Sequence, residues 1–344
     1  MKTSITDVAL AAAVTPAVVS RVLNGDPTLK VRAATRERVL AAALELDYTP
    51  SHAARALRRS RSNALGLAVH DMANPVYGEI IAGAQKAATD AGYVLLLADI
   101  EALARGDEAF RGVLHGGAID GLLLQRAGTA ADQKIVRAAK ARVPTVLLND
   151  RSTTLPSVAL DDAAGTDLAT QHLIELGHTR IGHLTVGGTS RSSARVRGWR
   201  AALTRAGLAA DPDRLVDGGH TVSLGHDGMA AMLAGVPAAH RPTAFVVGNV
   251  LAAIGALTAV RAAGLSVPDD LSLVALHHVV FAEHVTPPLT TVTMPLRELG
   301  SAAVTLLLQR LDADADGEQA RGLVVRDPAP SLVVRGSSAP PRSR

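Results

Sequence analysis

The sequence predicts a small all-α domain of helix-turn-helix type with a hinge helix behind it, followed by a two-lobed α/β core of parallel sheets flanked by helices. Three observations lead there. Basic charge is concentrated at the amino end. Short helices with clear capping signals occupy the same stretch. Beyond residue 64, short apolar runs alternate with helical stretches, twice over.

The chain has 344 residues, too many for one ordinary domain. Hydrophobic residues make up 48% and aromatics 2%, so the core must be aliphatic. With no cysteine, disulfides, thiolate metal sites and cysteine nucleophiles are excluded. Met1–Leu10 lacks the apolar stretch of a signal peptide, and no apolar run reaches membrane-span length. A cytoplasmic protein without membrane contact is expected.

The net charge of +3 hides an asymmetry. Residues 1–63 carry ten Lys/Arg against five Asp/Glu, a balance of +5, and the remainder carries −2. A basic segment with helical periodicity is the footprint expected for a polyanion partner.

Within that segment Ser4 can cap a helix from Ile5 to about Ala12, with Asp7 placed for a capping box. Thr15 and Pro16 suit the N-cap and first position of a second helix, Pro16–Leu23, which Asn24-Gly25 ends. A third helix, about Ala34–Leu46, should bury Val39, Leu40, Ala43 and Leu44. The second helix would present Thr15, Pro16, Ala17, Ser20 and Arg21 to a major groove. Of these, Arg21 has the reach and donors to read a guanine edge. Pro16 and Ala17 offer apolar contact to a thymine methyl. Thr15, Ser20 and Asn24 suit phosphate oxygens, and Ser4 is a further candidate DNA contact. The following stretch, with His52, Ala54, Arg55 and Leu57 beside Arg58, Arg59 and Arg61, is too short to be a stable helix alone. Supported, it would set Leu57 as an apolar wedge next to arginines, the arrangement of a minor-groove intercalator.

In the core, Leu65–Val69, Tyr93–Ala98, Ile119–Leu124 and Val143–Leu148 read as strands, with helices near Val76–Ala91, Leu103–His115 and Ala130–Ala141. The pattern resumes with strands at Ile181–Val186, Phe245–Gly248 and Leu271–Leu276. Helices fall near Asp162–Leu176, Arg195–Ala206, Leu224–Ala234 and Asn249–Ala263. Such alternation means parallel sheets, whose ligands bind beyond the carboxyl ends of the strands.

The chain resembles the LacI/GalR family of bacterial transcriptional regulators. The resemblance rests on Ile5-Thr-Asp-Val-Ala9, Val14-Thr-Pro-Ala-Val-Val-Ser-Arg-Val-Leu-Asn-Gly25, Thr35-Arg-Glu-Arg-Val-Leu40, Tyr48-Thr-Pro50, Ala54-Arg-Ala-Leu57 and Asn74-Pro75. It continues in Asp120-Gly121, His172–His178, Arg195-Val-Arg-Gly-Trp199, Ala262–Asp269, Pro288–Val292 and Leu332–Gly336. It implies a periplasmic-binding-protein-like core, a homodimer on a palindromic DNA operator, a small-molecule effector between the lobes, and paired hinge helices that insert Leu57 at the operator centre. Ala13 departs from the pattern, where the family has glycine in the turn.

The implied organisation is a DNA-binding domain at 1–50 and a hinge at 51–63. A core follows at 64–336, with one lobe at about 64–160 and 291–323, the other at about 161–289 and 324–336. A disordered tail fills 337–344. The chain would cross between lobes near Leu160–Asp161, Leu289–Thr291 and Leu323–Val325.

For the effector the resemblance points to Val76 and Tyr77, Arg195, His220, Asn249, His277 and Met294. A buried arginine can grip carboxylate, phosphate or vicinal hydroxyls, although a lobe-to-lobe salt bridge competes. His277 and Val250 stand where the family has aspartates, which tilts the effector toward anionic or acceptor character. A sugar, polyol, sugar acid or other small metabolite all stay open. His277, His278 and His220 could instead hold a metal, but neighbours at a strand end point to opposite sides, which argues against it. No metal-protease, nucleophile-elbow, dinucleotide or phosphate-loop motif is present, so neither a cofactor nor catalytic residues are expected. His172, His178 and His183 are expected to serve structure.

Overall fold

The computed structural model describes residues 3–26, 28–48, 61–105, 112–113, 116–126, 129–140, 142–152, 154–186, 193–312 and 322–342. The chain divides into an amino-terminal unit through Asn63 and a larger unit that begins at Ala64. The hinge residues His52, Ala54, Arg55 and Leu57 lie outside the described residues.

The amino-terminal unit is three helices: α1 (Ile5–Ala11), α2 (Pro16–Leu23) and α3 (Ala33–Glu45). Ser4 and Asp7 form a complete capping box on α1. Thr15 caps α2 by accepting from the Val18 amide at 3.4 Å, and Pro16 takes the first turn, where a missing N–H is harmless. Val8, Ala9, Ala12, Val19, Val22, Val39, Ala42 and Ala43 form the core. Ala13 sits in the turn at φ +51, the left-handed region where alanine costs about 1–2 kcal/mol. The periodicity of α3 puts Leu40 and Leu44 inside, yet they are 49% and 85% exposed. The buried face of α3 runs through Val39, Ala42 and Ala43, and the two leucines share the adjoining face one turn apart.

The larger unit holds two six-stranded sheets. The first contains β1 (Ala64–Val69), β2 (Val94–Asp99), β3 (Gly121–Gln125), β4 (Thr145–Leu148), β5 (Ser157–Leu160) and β11 (Gly322–Val325). Their order is β11-β5-β4-β3-β1-β2, and every pairing is parallel. The second contains β6 (Ile181–Thr185), β7 (Leu215–Asp217), β8 (Ala244–Val247), β9 (Ser272–Leu276), β10 (Thr290–Thr293) and β12 (Ser331–Val333). Their order is β12-β10-β9-β8-β6-β7, with β12 antiparallel to β10. Fully buried runs such as Leu65–Val69 and Ala244–Val247 are the signature of parallel strands covered on both faces.

Helices α4 (Val76–Asp90), α5 (Ile100–Arg105), α6 (Ala130–Lys140) and α11 (Leu296–Asp312) accompany the first sheet. Helices α7 (Asp162–Glu175), α8 (Ala194–Arg205), α9 (Val222–Gly235) and α10 (Val250–Ala262) accompany the second. Most of the helix expected at Leu103–His115 lies outside the described residues.

Three expectations need correction. Strand β10 pairs with β9 of the second sheet, so the chain returns to the first lobe after Thr293, not near 289–291. Strand β11 pairs with β5 along its full length, so residues 324 and 325 belong to the first lobe and the last crossing comes after Val325. The tail is not disordered through Arg342. Ser337 is fully buried, its hydroxyl donates to the Leu273 carbonyl at 2.6 Å, and its own carbonyl accepts from the Leu273 amide at 2.7 Å. His178 Nε2 meets the Ala339 carbonyl at 2.9 Å, and Arg342 pairs with Asp269 at 2.7 Å. Polar composition suggests solvent, but serine and backbone satisfy the flank of the second sheet instead.

Candidate functional site

Two surfaces carry the candidate chemistry. The first is the outer face of α2, where Thr15, Pro16 and Ala17 are exposed. Ser4 is engaged in its cap, with its Oγ donating to Asp7 Oδ2 at 2.8 Å. Asn24 closes the far end of the helix, donating from Nδ2 to the Ser20 carbonyl at 2.6 Å. Arg21, expected to reach for a base edge, is folded back onto the loop that follows. Its Nε lies 2.7 Å from Asp26 Oδ2 and its Nη2 donates to Thr28 Oγ1 at 3.0 Å. The bond from Arg21, with two more from the Thr28 hydroxyl and amide to Asp26 Oδ1, holds the Asp26 carboxyl down at about 2, so it stays ionised and keeps Arg21 in place.

The second surface is a cleft of about 300 Å³ in the larger unit. Most of its polar groups stand just beyond the carboxyl end of a strand. From the first lobe come His70 after β1, Gln125 and Arg126 at the end of β3, and Asn149 after β4. From the second come Val186 after β6, His220 after β7, Asn249 after β8 and His277 after β9. Asn74, Val76, Tyr77 and Ile80 enter from α4 and the loop before it. Asp162 enters from α7, and Ser193 and Arg195 from the start of α8.

Of the residues the sequence singles out, Val76, Tyr77, Arg195, His220, Asn249 and His277 all line this cleft. Met294 does not. Its sulfur packs against the helix α7 backbone, where a Cβ on Gly165 would stand 2.7 Å away. His278 also faces elsewhere, with Nδ1 3.2 Å from Thr291 Oγ1. His70, Gln125, Arg126, Asn149 and Asp162 escape the sequence reading. A signal exists for them, since each closes or follows an apolar run, where a parallel strand delivers its next polar residue to the cleft.

The centre of the cleft is a cluster of Arg195, Asp162 and His277. Gly198 permits it: a Cβ there would sit 2.1 Å from the Ala163 carbonyl oxygen, so α8 lies directly against α7. Arg195 Nε then stands 3.2 Å from Asp162 Oδ2, and Nη2 stands 3.4 Å from His277 Nε2. Burial pushes the His277 imidazole down to about 4, and the neighbouring guanidinium adds to the shift while Asp162 opposes it. His277 is therefore neutral near pH 7. It holds φ +68, a left-handed conformation seldom seen outside glycine, asparagine, aspartate and histidine. Burial likewise pushes the Tyr77 hydroxyl up to about 12, with Asp71 adding to the rise and Arg195 countering it. Behind the cleft, Asp132 meets His70 at 2.5 Å and Asp150 meets Arg126 at 2.6 Å.

His183 and Trp199 stack under α8 with centroids 6.5 Å apart. His172 and His178 bond Ser338 and Ala339 of the tail. All three histidines sit in packing positions away from the cleft lining.

Residues 4–51 match the family model for bacterial regulatory proteins of the lacI family, and residues 170–338 match a periplasmic-binding-protein-like domain. The ribose operon repressor of Escherichia coli (strain K12) is 34% identical, over 96% of this chain and 98% of its own length. The chain belongs to the lacI family. The regulator DegA of Bacillus subtilis (strain 168) is 30% identical over 99% of both chains. Among solved structures, the lac repressor dimer bound to operator and an anti-inducer superposes with a TM-score of 0.79 at 28% identity. That match covers 98% of this chain and all of the other. This lacI-family chain is thus a DNA-binding transcriptional regulator with a helix-turn-helix region and a periplasmic-binding-protein-like core, and its relatives are regulators rather than enzymes. Among the described residues no single helix is long and apolar enough to cross a membrane.

Proposed function

We propose that this protein is a ligand-responsive repressor that binds a roughly palindromic operator as a homodimer and takes its effector in the cleft between the core lobes. One observation carries the reading. A polar cleft bounded by strand ends of two lobes is encoded in the same chain as a helix-turn-helix. The effector is a sugar, polyol, sugar acid or other small metabolite. The protein works in the cytoplasm.

On the DNA side, Thr15, Ser20 and Asn24 serve phosphates, Ser4 is a further contact, Pro16 and Ala17 touch thymine methyls, and Arg21 reads a guanine once it leaves Asp26. His52, Ala54, Arg55 and Leu57 form the hinge, with Leu57 as the wedge. On the protein side, the edge strand β2 exposes Val94, Leu96 and Leu97, and Val222, Leu224 and Val280 are exposed in the second lobe. Apolar groups at such positions support association with a second copy.

The three chain crossings let the lobes change angle, and the effector shifts that balance only by its differential affinity for the two arrangements. Couplings of this kind run at about 1–3 kcal/mol. The test is selection of DNA sequences by the intact protein, followed by footprinting of Leu57→Ala and Arg195→Ala. Leu57→Ala should weaken specific binding far more than nonspecific binding, and equal loss removes the wedge. Arg195→Ala should bind operator but ignore effector, and a surviving response removes the cleft. Sedimentation of a monomer on operator DNA would refute the dimer.

A further inference from the structure

The hydrogen-bonding groups of the cleft are lopsided. Among the described residues, the carboxylates in and behind it are engaged: Asp162 with Arg195 at 3.2 Å, Asp150 with Arg126 at 2.6 Å, and Asp132 with His70 at 2.5 Å. The side-chain amides are engaged through their oxygens. Asn74 Oδ1 accepts from the Val76 amide at 3.1 Å, Asn149 Oδ1 from Leu160 at 3.3 Å, and Asn249 Oδ1 from Leu251 at 2.7 Å. Gln125 Oε1 accepts from the His70 amide at 3.3 Å. Each asparagine keeps its NH₂ as the group with two donors to offer.

Arg195 adds to the excess. It meets Asp162 through Nε at 3.2 Å and through Nη2 at 3.5 Å, and His277 through Nη2 at 3.4 Å, so Nη1 is the end of the guanidinium with no described contact. A guanidinium carries five donors, and the two on Nη1 are left for a ligand. Neutral His277 accepts from Arg195 at Nε2, which places its own hydrogen on Nδ1, a fully buried atom that faces no ligand. Among the described residues, the groups left over are mostly donors, Arg195 Nη1 and the asparagine NH₂ groups, beside Tyr77, Ser193 and His220, which can serve either way.

A neutral sugar fits this badly, because every hydroxyl brings a hydrogen that needs an acceptor, and a donor buried without one is costly. An anionic oxygen brings acceptors and no hydrogens, and charge-assisted bonds from arginine and amide N–H groups are strong. We propose that the effector is a monosaccharide-sized organic anion, its carboxylate or phosphate set against Arg195 and the NH₂ groups of Asn74, Asn149 and Asn249. The 300 Å³ of the cleft suits one such unit. This inference rests on the cleft being the effector site.

The test is calorimetric titration and thermal shift of the full-length protein at matched ionic strength. Probes are D-gluconate, D-glucuronate and D-glucose 6-phosphate, with D-glucose, D-ribose and inorganic phosphate for comparison. An acid or phosphate ester should bind at least roughly tenfold tighter than D-glucose, and which arm binds identifies the anionic group. Arg195→Gln should lose roughly tenfold or more of that affinity. Asn249→Asp, which keeps the oxygen that caps α10, should also weaken the anion and favour the neutral sugar. Neutral sugars binding as tightly as the acids, with loss in Arg195→Gln, would leave the cleft standing and overturn the anion. Binding unchanged by both substitutions would overturn the cleft with it. Silence from every anionic probe, or a response that inorganic phosphate alone reproduces, also overturns the proposal.

Discussion

Arg195 and His277 are 82 positions apart, yet Nη2 of one stands 3.4 Å from Nε2 of the other, at the centre of the cleft. A protonated imidazole could not accept from a guanidinium. The contact therefore depends on His277 staying neutral, which burial and Arg195 itself enforce.

Acid sensitivity follows from that contact. Folded His277 titrates near 4, against an ordinary 6.5. Between those values the unfolded chain binds a proton that the folded imidazole refuses, so stability climbs with pH across the window and is lost on acidification. The contribution is on the order of 3 kcal/mol. His183, also held near 4 by burial, titrates the same way. Thermal unfolding between pH 4 and 8 should show a steep fall below about 6.5 in the native chain and a shallower one in His277→Asn. Parallel curves for the two proteins would refute the assignment.

Gly198 is where α8 touches α7, and a Cβ at that position would come within 2.1 Å of the Ala163 carbonyl oxygen. Gly198→Ala must push the helices apart, at about 1–3 kcal/mol of overpacking. Because Arg195 is one turn away, the substitution should also weaken effector binding without touching the ligand. Calorimetry that finds native affinity and native stability would rule this out.

In the amino-terminal unit, Ala13 holds φ +51. Glycine adopts that conformation without strain, so Ala13→Gly should stabilise the turn by about 1 kcal/mol after its greater unfolded-state freedom is counted. Amide exchange in α1 and α2 should slow by roughly fivefold. Faster exchange in the variant would contradict the strain.

Asp26 anchors Arg21 at 2.7 Å. Asp26→Asn removes both the anchor and a negative charge beside the recognition helix. Affinity for random DNA should rise, its salt dependence should steepen by about one counterion, and discrimination between specific and nonspecific DNA should fall. Gel shifts over a salt series would show this, and unchanged discrimination would mean that Arg21 is not constrained by Asp26 on DNA.

The division into a basic helical unit and a two-lobed α/β core is legible in the residues alone. It rests on signals that are local or periodic: Ser4 and Thr15 as caps, Pro16 at a first turn, unbroken apolar runs for buried parallel strands. The same residues, through a family resemblance and a topological rule, place Val76, Tyr77, Arg195, His220, Asn249 and His277 in one cleft.

What those groups are able to do depends on neighbours that folding supplies. Arg21 reads as a base contact until Asp26 and Thr28 close on it. Met294 reads as a ligand contact until its sulfur meets α7 at Gly165. Ser337 reads as tail until its hydroxyl finds Leu273, 64 positions away. The donor-rich character of the cleft arises in the same way, since Asn149 and Gln125 turn their oxygens to backbone amides at Leu160 and His70. Hydrogen-bond capacity is a property of the residue, but which half of it is left for a ligand depends on partners that the fold brings from elsewhere in the chain.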